Sequence, residues 1–376
     1  MERYIVIVPR LNVRKAPVTE FTDQNISLPT VSKGVILNLE EYKDVPNPNL
    51  GKWYKDSHGQ FYWGGGLKLM DPALASDASL NEYPWWLKNN LYSIPDLWKE
   101  KNETKVTIAL LDTGINEHID FNFNNIIGYN YLENTPNYKT DVHGHGTHLA
   151  GIMTAQGKIS YGVAPTANLF VAKVCDNQGR PVFSAVKEAL ENILNEKNGA
   201  KDIDIINMSF DLAVGKKDVV NIKLKQEIEE LIKEIANKKK CLCVAACGNS
   251  GEYFDLPLEY SPAYLDEVIS VGGFKENFSR DPISNKSVNL DILGPSSGII
   301  SLKGKNEVVI DGGTSQSAAF VSAVCALGIQ KLKSKDMYSE KLLKNLLYKT
   351  AKILPGQVPI EYGHGLINPN YFISLL

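Results

Sequence analysis

Three short motifs in this chain each carry a side chain suited to acid–base or nucleophilic chemistry. Asp112 begins an Asp-Thr-Gly sequence, His145 begins a His-Gly-Thr-His sequence, and Ser315 ends a Gly-Thr-Ser sequence. A serine hydroxyl is a poor nucleophile until a base takes its proton, and a neutral imidazole does this best when a carboxylate fixes its tautomer. Together, the three residue types predict nucleophilic catalysis by a serine.

The same residues fall at the ends of predicted elements. Asp112 closes an otherwise apolar strand, whereas His145 and Ser315 each precede a helix rich in small or apolar residues. In an open parallel sheet, catalytic groups collect at the carboxyl ends of strands and at the N-termini of the helices that follow. The three motifs are therefore expected at one edge of one sheet.

From Val106 onward, short apolar strands alternate with helices, a pattern typical of a parallel sheet with helical crossovers. The predicted strands are Val106 to Leu111, Leu169 to Val174, Ile203 to Met208, Leu242 to Ala246 and Val268 to Val271. The predicted helices are Gly146 to Thr154, Ser184 to Glu196, Ile222 to Lys238 and Ser317 to Lys333. We predict an α/β fold with a doubly wound, mostly parallel sheet.

The N-terminal part of the chain has a different texture. Residues 1–70 contain short β-rich runs separated by turn formers, without helical periodicity, and predict a small all-β barrel. Residues 71–83 are rich in Ala, Ser and Asp and predict a linker. The α/β domain is then expected to occupy residues 84–376.

Composition excludes several function classes for this chain of 376 residues. A formal net charge of -3 gives no bulk attraction to nucleic acid or to an anionic membrane, and neither is expected as a partner. The apolar run near the N-terminus is broken by Pro9 and Arg10 before it reaches the length of a signal-peptide core. With five cysteines and no disulfide framework, the sequence predicts a reduced protein in the cytoplasm.

Metal binding is the alternative interpretation of two clusters. His143, His145 and His148 could hold zinc, but a helix that begins between them would turn His145 and His148 toward different faces. The three cysteines between Cys241 and Cys247 lie in an apolar run without a second ligand pair, so they are expected to be small buried side chains. No metal site is predicted.

The order of the three motifs, with further matches across residues 84–376, resembles the subtilisin-like serine proteases of the S8 family. The additional matches are Gly162-Val-Ala-Pro165, Ile205-Ile-Asn-Met-Ser209, Ala245-Ala-Cys-Gly-Asn249, Val268-Ile-Ser-Val-Gly272 and Tyr362-Gly-His-Gly-Leu-Ile-Asn368. The resemblance implies that Asp112 orients the imidazole, His145 is the general base and Ser315 is the nucleophile. It also implies that Asn249 and the Ser315 N–H bind the oxyanion.

The resemblance further implies a substrate pocket between two segments. They are Ser209, Phe210 and Asp211 on one side, and Ala246, Cys247 and Gly248 on the other. The family usually has glycine where this chain has Asp211. Asp211 and Glu259 could together attract a basic substrate side chain, or both could be solvated on loops.

Two further departures concern the helix after the nucleophile and calcium. Gln316 and Ser317 stand where many relatives have Met-Ala, a change that leaves the serine in place. The link Gln156 to Tyr161 is short and lacks the asparagine run whose oxygens bind calcium in many secreted members. No cofactor is predicted; the usual calcium loop is not evident, and calcium at a different site stays an open alternative.

Residues 1–70 resemble a bacterial SH3 (SH3b) domain through Leu11-Asn-Val-Arg14, Trp53-Tyr-Lys55 and Gly59-Gln-Phe-Tyr-Trp63. The resemblance implies a cell-wall or protein ligand, with Tyr54, Tyr62 and Trp63 as groove candidates; for a protein in the cytoplasm, a protein ligand is the expectation. The alternative is that these aromatic side chains form the barrel's own core.

The function predicted is that of a serine endopeptidase acting on peptide or protein substrates, with the SH3b-like domain recruiting substrate or controlling access. A pseudoprotease would keep the groove for binding alone, but it would not need all four of Asp112, His145, Asn249 and Ser315. An acyl transferase with the same triad would need an element that shields the acyl-enzyme from water, and no large insertion of that kind is visible.

Overall fold

The structure is a computed structural model of the chain. It describes residues 2–6, 10–17, 26–32, 36–55, 60–69, 84–88, 104–215, 217–254 and 256–376. The predicted linker 71–83 lies outside the described residues. The chain divides into two compact units, Met1–Tyr83 with Glu307–Ile310, and Pro84–Asn306 with Asp311–Leu376.

The N-terminal unit contains short strands. Its strands are β1 Glu2–Val6, β2 Arg10–Arg14, β3 Ile26–Ser32, β4 Ile36–Tyr42, β5 Trp53–Lys55, β6 Phe61–Trp63 and β7 Leu67–Leu69. They pair in the order β3-β2-β6-β5-β4-β1-β7, and every pairing given between them is antiparallel. The all-β character is present, whereas the SH3-like barrel itself stays a prediction.

The aromatic side chains that were candidates for a ligand groove are largely enclosed in the described part of this unit. Tyr54 and Tyr62 are buried, and Trp53 is fully buried. Trp63 is half-buried and donates its Nε1–H to the carbonyl of Leu50 at 2.6 Å. These contacts favour the interpretation that the aromatic residues contribute to packing rather than to a ligand surface.

The second unit is built on a parallel sheet. Its sheet strands are β8 Thr107–Asp112, β9 Ile126–Asn130, β10 Asn168–Lys173, β11 Ile205–Met208, β12 Leu242–Ala246, β13 Val268–Phe274 and β14 Ile292–Pro295. They lie in the order β14-β13-β12-β11-β8-β10-β9, and all six pairings are parallel. The predicted α/β fold with a mostly parallel sheet is confirmed.

Other elements connect or follow these strands. The helices are α1 Trp85–Lys88, α2 His145–Thr154, α3 Phe183–Asn195, α4 Val219–Lys239, α5 Thr314–Lys333, α6 Glu340–Lys349, α7 Pro359–Tyr362 and α8 Pro369–Ser374. Two further strands are β15 Ile299–Lys303 and β16 Glu307–Asp311. No helix within the described ranges combines the length and the apolar character that crossing a membrane requires.

Helices cover both faces of the sheet. Successive residues of a strand point to opposite sides, so a strand contributes side chains to both helical layers. Ile206 of β11 and Cys243 of β12 belong to the core cluster that α3 and α4 also fill. On the other face, Asn207 of β11 accepts a hydrogen bond from Ser322 of α5 at 3.0 Å. The central strands of the sheet are therefore buried on both sides, and their carboxyl ends remain as the edge where side chains can reach substrate.

Candidate active site

The carboxylate of Asp112 lies buried at the carboxyl end of β8. It accepts hydrogen bonds from the Thr113 N–H at 2.8 Å and from His145 Nδ1, which lies 2.8 Å from Oδ1 and 3.0 Å from Oδ2. Since an ionised carboxylate only accepts, the imidazole carries its proton on Nδ1. Nε2 of the neutral ring is left as a base.

His145 opens α2, and its side chain is 21% exposed. Burial lowers the pKa of His145, but the charge and hydrogen bond of Asp112, with the charges of Asp311 and Asp141, raise that pKa above its ordinary value. The net effect is an imidazole that accepts a proton more readily than in water.

Ser315 lies in the first turn of α5, 9% exposed. Its hydroxyl donates to the carbonyl of Ser209 at 3.2 Å, and the Ser209 hydroxyl donates to the carbonyl of Ser315 at 3.2 Å. At the first turn the backbone N–H groups lack intrahelical acceptors, and the helix dipole is positive there. A negative charge that develops beside Ser315 is stabilised by both.

Strand register brings the two halves of the site to one edge. Leu111 of β8 is paired with Met208 of β11, so Asp112 and Ser209 follow at adjacent strand ends. Neighbouring strands are about 4.8 Å apart. His145 is hydrogen-bonded to Asp112, and Ser315 is hydrogen-bonded to Ser209, so the N-termini of α2 and α5 share this edge. The two helices also pack together.

Asn249 lies on the exposed loop that follows β12. Its Oδ1 accepts from the Thr314 N–H at 2.9 Å and from the Thr314 hydroxyl at 3.0 Å. Because a backbone N–H can only donate, the amide is oriented with Oδ1 toward the helix, and Nδ2 remains as a donor on the other side. A Cβ on Gly313 would lie 3.1 Å from this Nδ2.

The other predicted pocket residues divide into backbone walls and buried side chains. Phe210 packs into the core with α3 and α4. The Cys247 thiol contacts Ser284 Oγ at 3.4 Å, and burial raises the pKa of Cys247. Ala246 is buried at the end of β12. Only the backbone of these residues is left to line a pocket beside Ser209 and Gly248.

Asp211 and Glu259 have separate environments. Asp211 Oδ1 accepts from the Ala213 N–H at 2.5 Å. Burial raises the pKa of Asp211, while this hydrogen bond and the charge of Lys225 oppose the rise. Glu259 is exposed. The carboxylate of Asp211 is thus already engaged by groups of the protein.

Sequence reasoning missed Asp141, which is buried just before α2. Its Oδ1 accepts from the Gly144 N–H at 2.7 Å and from the Thr113 hydroxyl at 2.8 Å. Its Oδ2 accepts from the Thr147 N–H at 2.8 Å and from the Thr147 hydroxyl at 2.6 Å. A carboxylate shortly before a helix is a capping signal that could have identified it.

The described residues hold no group of three His, Cys, Asp or Glu side chains that could bind a metal ion. His148 turns its Nε2 toward the carbonyl of Ile299 at 3.2 Å, away from the partner that His145 uses. All five cysteines are buried and free. The zinc interpretations of both clusters therefore lack a converging ligand set.

Comparisons with known proteins agree with this geometry. Residues 103–365 match the family model described as Peptidase S8, Subtilase family. Subtilisin DY of Bacillus licheniformis is 30% identical over 286 residues, covering 74% of this chain and 96% of that protein. The major intracellular serine protease of Bacillus subtilis (strain 168) is 30% identical over 295 residues, covering 74% of this chain and 87% of the relative.

A solved structure described as a lanthipeptide protease superposes with a TM-score of 0.67 at 21% identity, covering 80% of this chain and 97% of the other. This similarity shows the fold. The family match and the relatives show more: the chain belongs to the subtilase family. It is a subtilisin-like serine protease, a hydrolase that acts on peptide or protein substrates.

Proposed function

We propose that this chain is a serine endopeptidase whose triad is Asp112, His145 and Ser315. The observation that carries the proposal is the hydrogen bond of 2.8 Å between buried Asp112 and His145 Nδ1, at the sheet edge where Ser315 opens α5. The pair leaves Nε2 as the base, and the helix N-terminus favours negative charge at the serine.

The proposed reaction follows from these roles. His145 Nε2 takes the Ser315 proton as Oγ attacks the scissile carbonyl carbon, and Asp112 stabilises the imidazolium. The oxyanion accepts hydrogen bonds from Asn249 Nδ2 and from the Ser315 N–H. His145 gives its proton to the leaving amine, which leaves an acyl-enzyme. Water, deprotonated by the same imidazole, hydrolyses the ester.

The test is covalent labelling of Ser315 by phenylmethylsulfonyl fluoride, read by mass spectrometry of the intact protein and of its peptides. We expect one adduct on Ser315 together with loss of peptide hydrolysis, and no adduct in Ser315→Ala. Ser334→Ala, at the exposed end of the same helix, is the matched control and should label like the parent. Hydrolysis that survives in Ser315→Ala would refute the proposal.

The product of a single peptide separates this function from its rivals. Linear fragments are expected from hydrolysis. Cyclic products would indicate acyl transfer, and an unchanged peptide would indicate a binding protein.

The proposal extends to organisation and surroundings. We place an SH3b-like domain at residues 1–70, a linker at 71–83 and the peptidase domain at 84–376, and assign the first the recruitment of protein substrates. We also propose a cytoplasmic location, supported by the five free buried cysteines and by a relative named as an intracellular protease.

We propose that the peptidase works without a cofactor and without calcium in the loop that the family usually uses. The support is Asp120, whose buried carboxylate accepts hydrogen bonds from the backbone N–H groups of Lys158, Ile159 and Ser160. These three donors belong to the short link Gln156 to Tyr161, where the calcium loop of many relatives would lie. They already occupy the carboxylate of Asp120.

A further inference from the structure

In the proposed function, the substrate pocket lies between two chain segments beside Ser315, and we call this pocket the crevice. One follows β11 and begins at Ser209, whose carbonyl accepts from the Ser315 hydroxyl. The other follows β12 and includes Gly248 and Asn249, both of which are hydrogen-bonded to Thr314. If Ser315 attacks a peptide carbonyl whose oxygen is bound by Asn249, as proposed above, we expect the side chain of that substrate residue to lie between these two segments, which are the walls of the crevice. We call that substrate residue P1.

The far end of this crevice is bridged by the segment after Glu259. Leu212, at the end of the first wall, donates its N–H to the carbonyl of Ser261 at 2.8 Å. Tyr260 precedes Ser261 and turns its ring toward the second wall. A Cβ placed on Gly248 would lie 2.8 Å from Tyr260 Cδ2 and 3.1 Å from Cε2.

The Tyr260 ring is held in this place at its other end. Its hydroxyl lies 3.4 Å from the Ser250 hydroxyl, just beyond Asn249 on the second wall. The ring thus spans from the segment tied to Leu212 to the loop that carries Asn249. The residue is half-buried, as expected of an aromatic side chain that lines an open crevice.

We infer that Tyr260 closes the far end of the crevice and restricts P1 to small side chains such as Gly, Ala and Ser. The inference rests on the proposed function, because it concerns which peptide bond the same serine attacks. A bulky P1 side chain would meet the ring before it could be buried, and it would lose the apolar contacts that reward a large residue in a deep pocket.

The contacts of Asp211 oppose the alternative of a basic P1 residue. Its carboxylate is bound to the Ala213 N–H at 2.5 Å and faces the charge of Lys225. Glu259 is exposed, next to the residue whose ring reaches Gly248. Neither acid is positioned by a described contact to receive a cation in the crevice.

The experiment measures kcat/KM on fluorogenic peptides that differ only in P1, as Ala, Leu, Phe or Arg. For the parent we expect P1 Ala to exceed P1 Phe, Leu and Arg by about tenfold or more. Tyr260→Ala should raise kcat/KM for P1 Phe by about tenfold and leave P1 Ala within about threefold. Tyr260→Phe keeps the ring and should keep the parent's preference.

Tyr253→Ala is the matched control, since Tyr253 is 80% exposed in the same loop region and should not change the ratios. Equal cleavage of P1 Phe and P1 Ala by the parent overturns the inference, as does an unchanged ratio in a folded Tyr260→Ala protein. Preference for P1 Arg also overturns it. Should Tyr260→Ala not fold, Tyr260→Leu and the parent's own panel decide the question.

Failure of the proposed function gives a different result. In that case the parent cleaves none of the four peptides and Ser315 is not labelled by phenylmethylsulfonyl fluoride. Labelling of Ser315 with hydrolysis of at least one peptide keeps the proposed function, and the ratios alone then decide the role of Tyr260.

Discussion

Two buried carboxylates at the site have different tasks. Asp112 binds the imidazole of His145 directly, at 2.8 Å. Asp141 binds the N–H groups of Gly144 and Thr147, which fixes the start of the helix that carries His145. The first sets the protonation and tautomer of the base, whereas the second sets its position.

The raised pKa of His145 predicts the pH dependence of hydrolysis. The base is active when neutral, so kcat/KM should fall as pH decreases through a midpoint above the ordinary histidine value of about 6.5. Asp112→Asn removes the charge that raises the pKa. It should move this midpoint to lower pH and reduce kcat by about 10⁴-fold, because the tautomer is no longer held.

The measurement is kcat/KM for one peptide between about pH 5 and pH 9 in both proteins. An acid limb that has the same midpoint in Asp112→Asn would contradict the assignment of Asp112. A parent midpoint below the ordinary histidine value would do so too.

The oxyanion role of Asn249 can be tested with a variant that keeps the acceptor oxygen of the side chain but loses its donor nitrogen. Asn249→Asp keeps an oxygen for the Thr314 N–H but loses Nδ2. It should lower kcat by about 10²–10³-fold with little change in KM, because the lost donor acts on the oxyanion of the transition state. Thermal unfolding should stay near that of the parent.

Asn249→Ala is the companion variant and loses both groups. It should show a similar loss of kcat and a further loss of stability of about 1 kcal/mol, since the N-terminus of α5 loses an acceptor. If kcat in Asn249→Asp stays within about threefold of the parent, the oxyanion role is refuted.

At the residue scale, local motifs were readable and distant partners were not. Short motifs predict that four residues lie at the ends of strands or helices: Asp112, His145, Asn249 and Ser315. Tyr260 has no such signal, because its importance comes from a ring contact with Gly248. The resemblance suggests Glu259 for the substrate pocket, whereas the ring that reaches Gly248 belongs to the adjacent residue Tyr260.

At the element scale, the central strands were predictable because uniform burial makes them continuous apolar runs. β12 was predicted at its observed bounds, Leu242–Ala246, and β8 and β10 within a residue. Strands β9 and β14 were missed. They are the two edges of the sheet, where Ile127 is exposed in β9 and β14 is only four residues long.

The link after α2 depends on a single carboxylate. Asp120 accepts from the N–H groups of Lys158 at 2.8 Å, Ile159 at 3.0 Å and Ser160 at 2.6 Å. Hydrogen bonds to a charged group contribute about 1.5–3 kcal/mol each, and removing the acceptor leaves several donors unpaired. The carboxylate of Asp120 therefore fixes the backbone of the link at Lys158, Ile159 and Ser160.

Asp120→Ala should lower the free energy of unfolding by about 3 kcal/mol or more. The measurement is denaturant unfolding of both proteins, each with calcium and with a chelator. The parent should unfold at the same denaturant concentration in both conditions. A chelator-dependent loss of stability in the parent would refute the proposal that this link works without calcium, and an unchanged Asp120→Ala would refute the role of the carboxylate.

At the scale of the whole molecule, the chain combines two units with separate evidence. The family match covers residues 103–365, nearly all of which lie in the α/β unit, and it leaves strands β1 to β7 outside. Those strands are antiparallel and carry buried aromatic residues. The proposed chemistry and the proposed substrate capture therefore fall in different parts of the chain and can be measured separately.

Removal of residues 1–75 tests this division. If the N-terminal unit recruits protein substrates, the truncated chain should keep kcat/KM for a short peptide within about twofold, since the triad and the crevice lie in the α/β unit. Cleavage of an unfolded protein substrate should fall by about tenfold or more, because a tethered binding site raises the local concentration of scissile bonds. The fraction of Ser315 that reacts with phenylmethylsulfonyl fluoride corrects both rates for inactive protein. Higher peptidase activity after truncation would instead establish that the N-terminal unit limits access, and equal rates on both substrates would leave it no part in proteolysis.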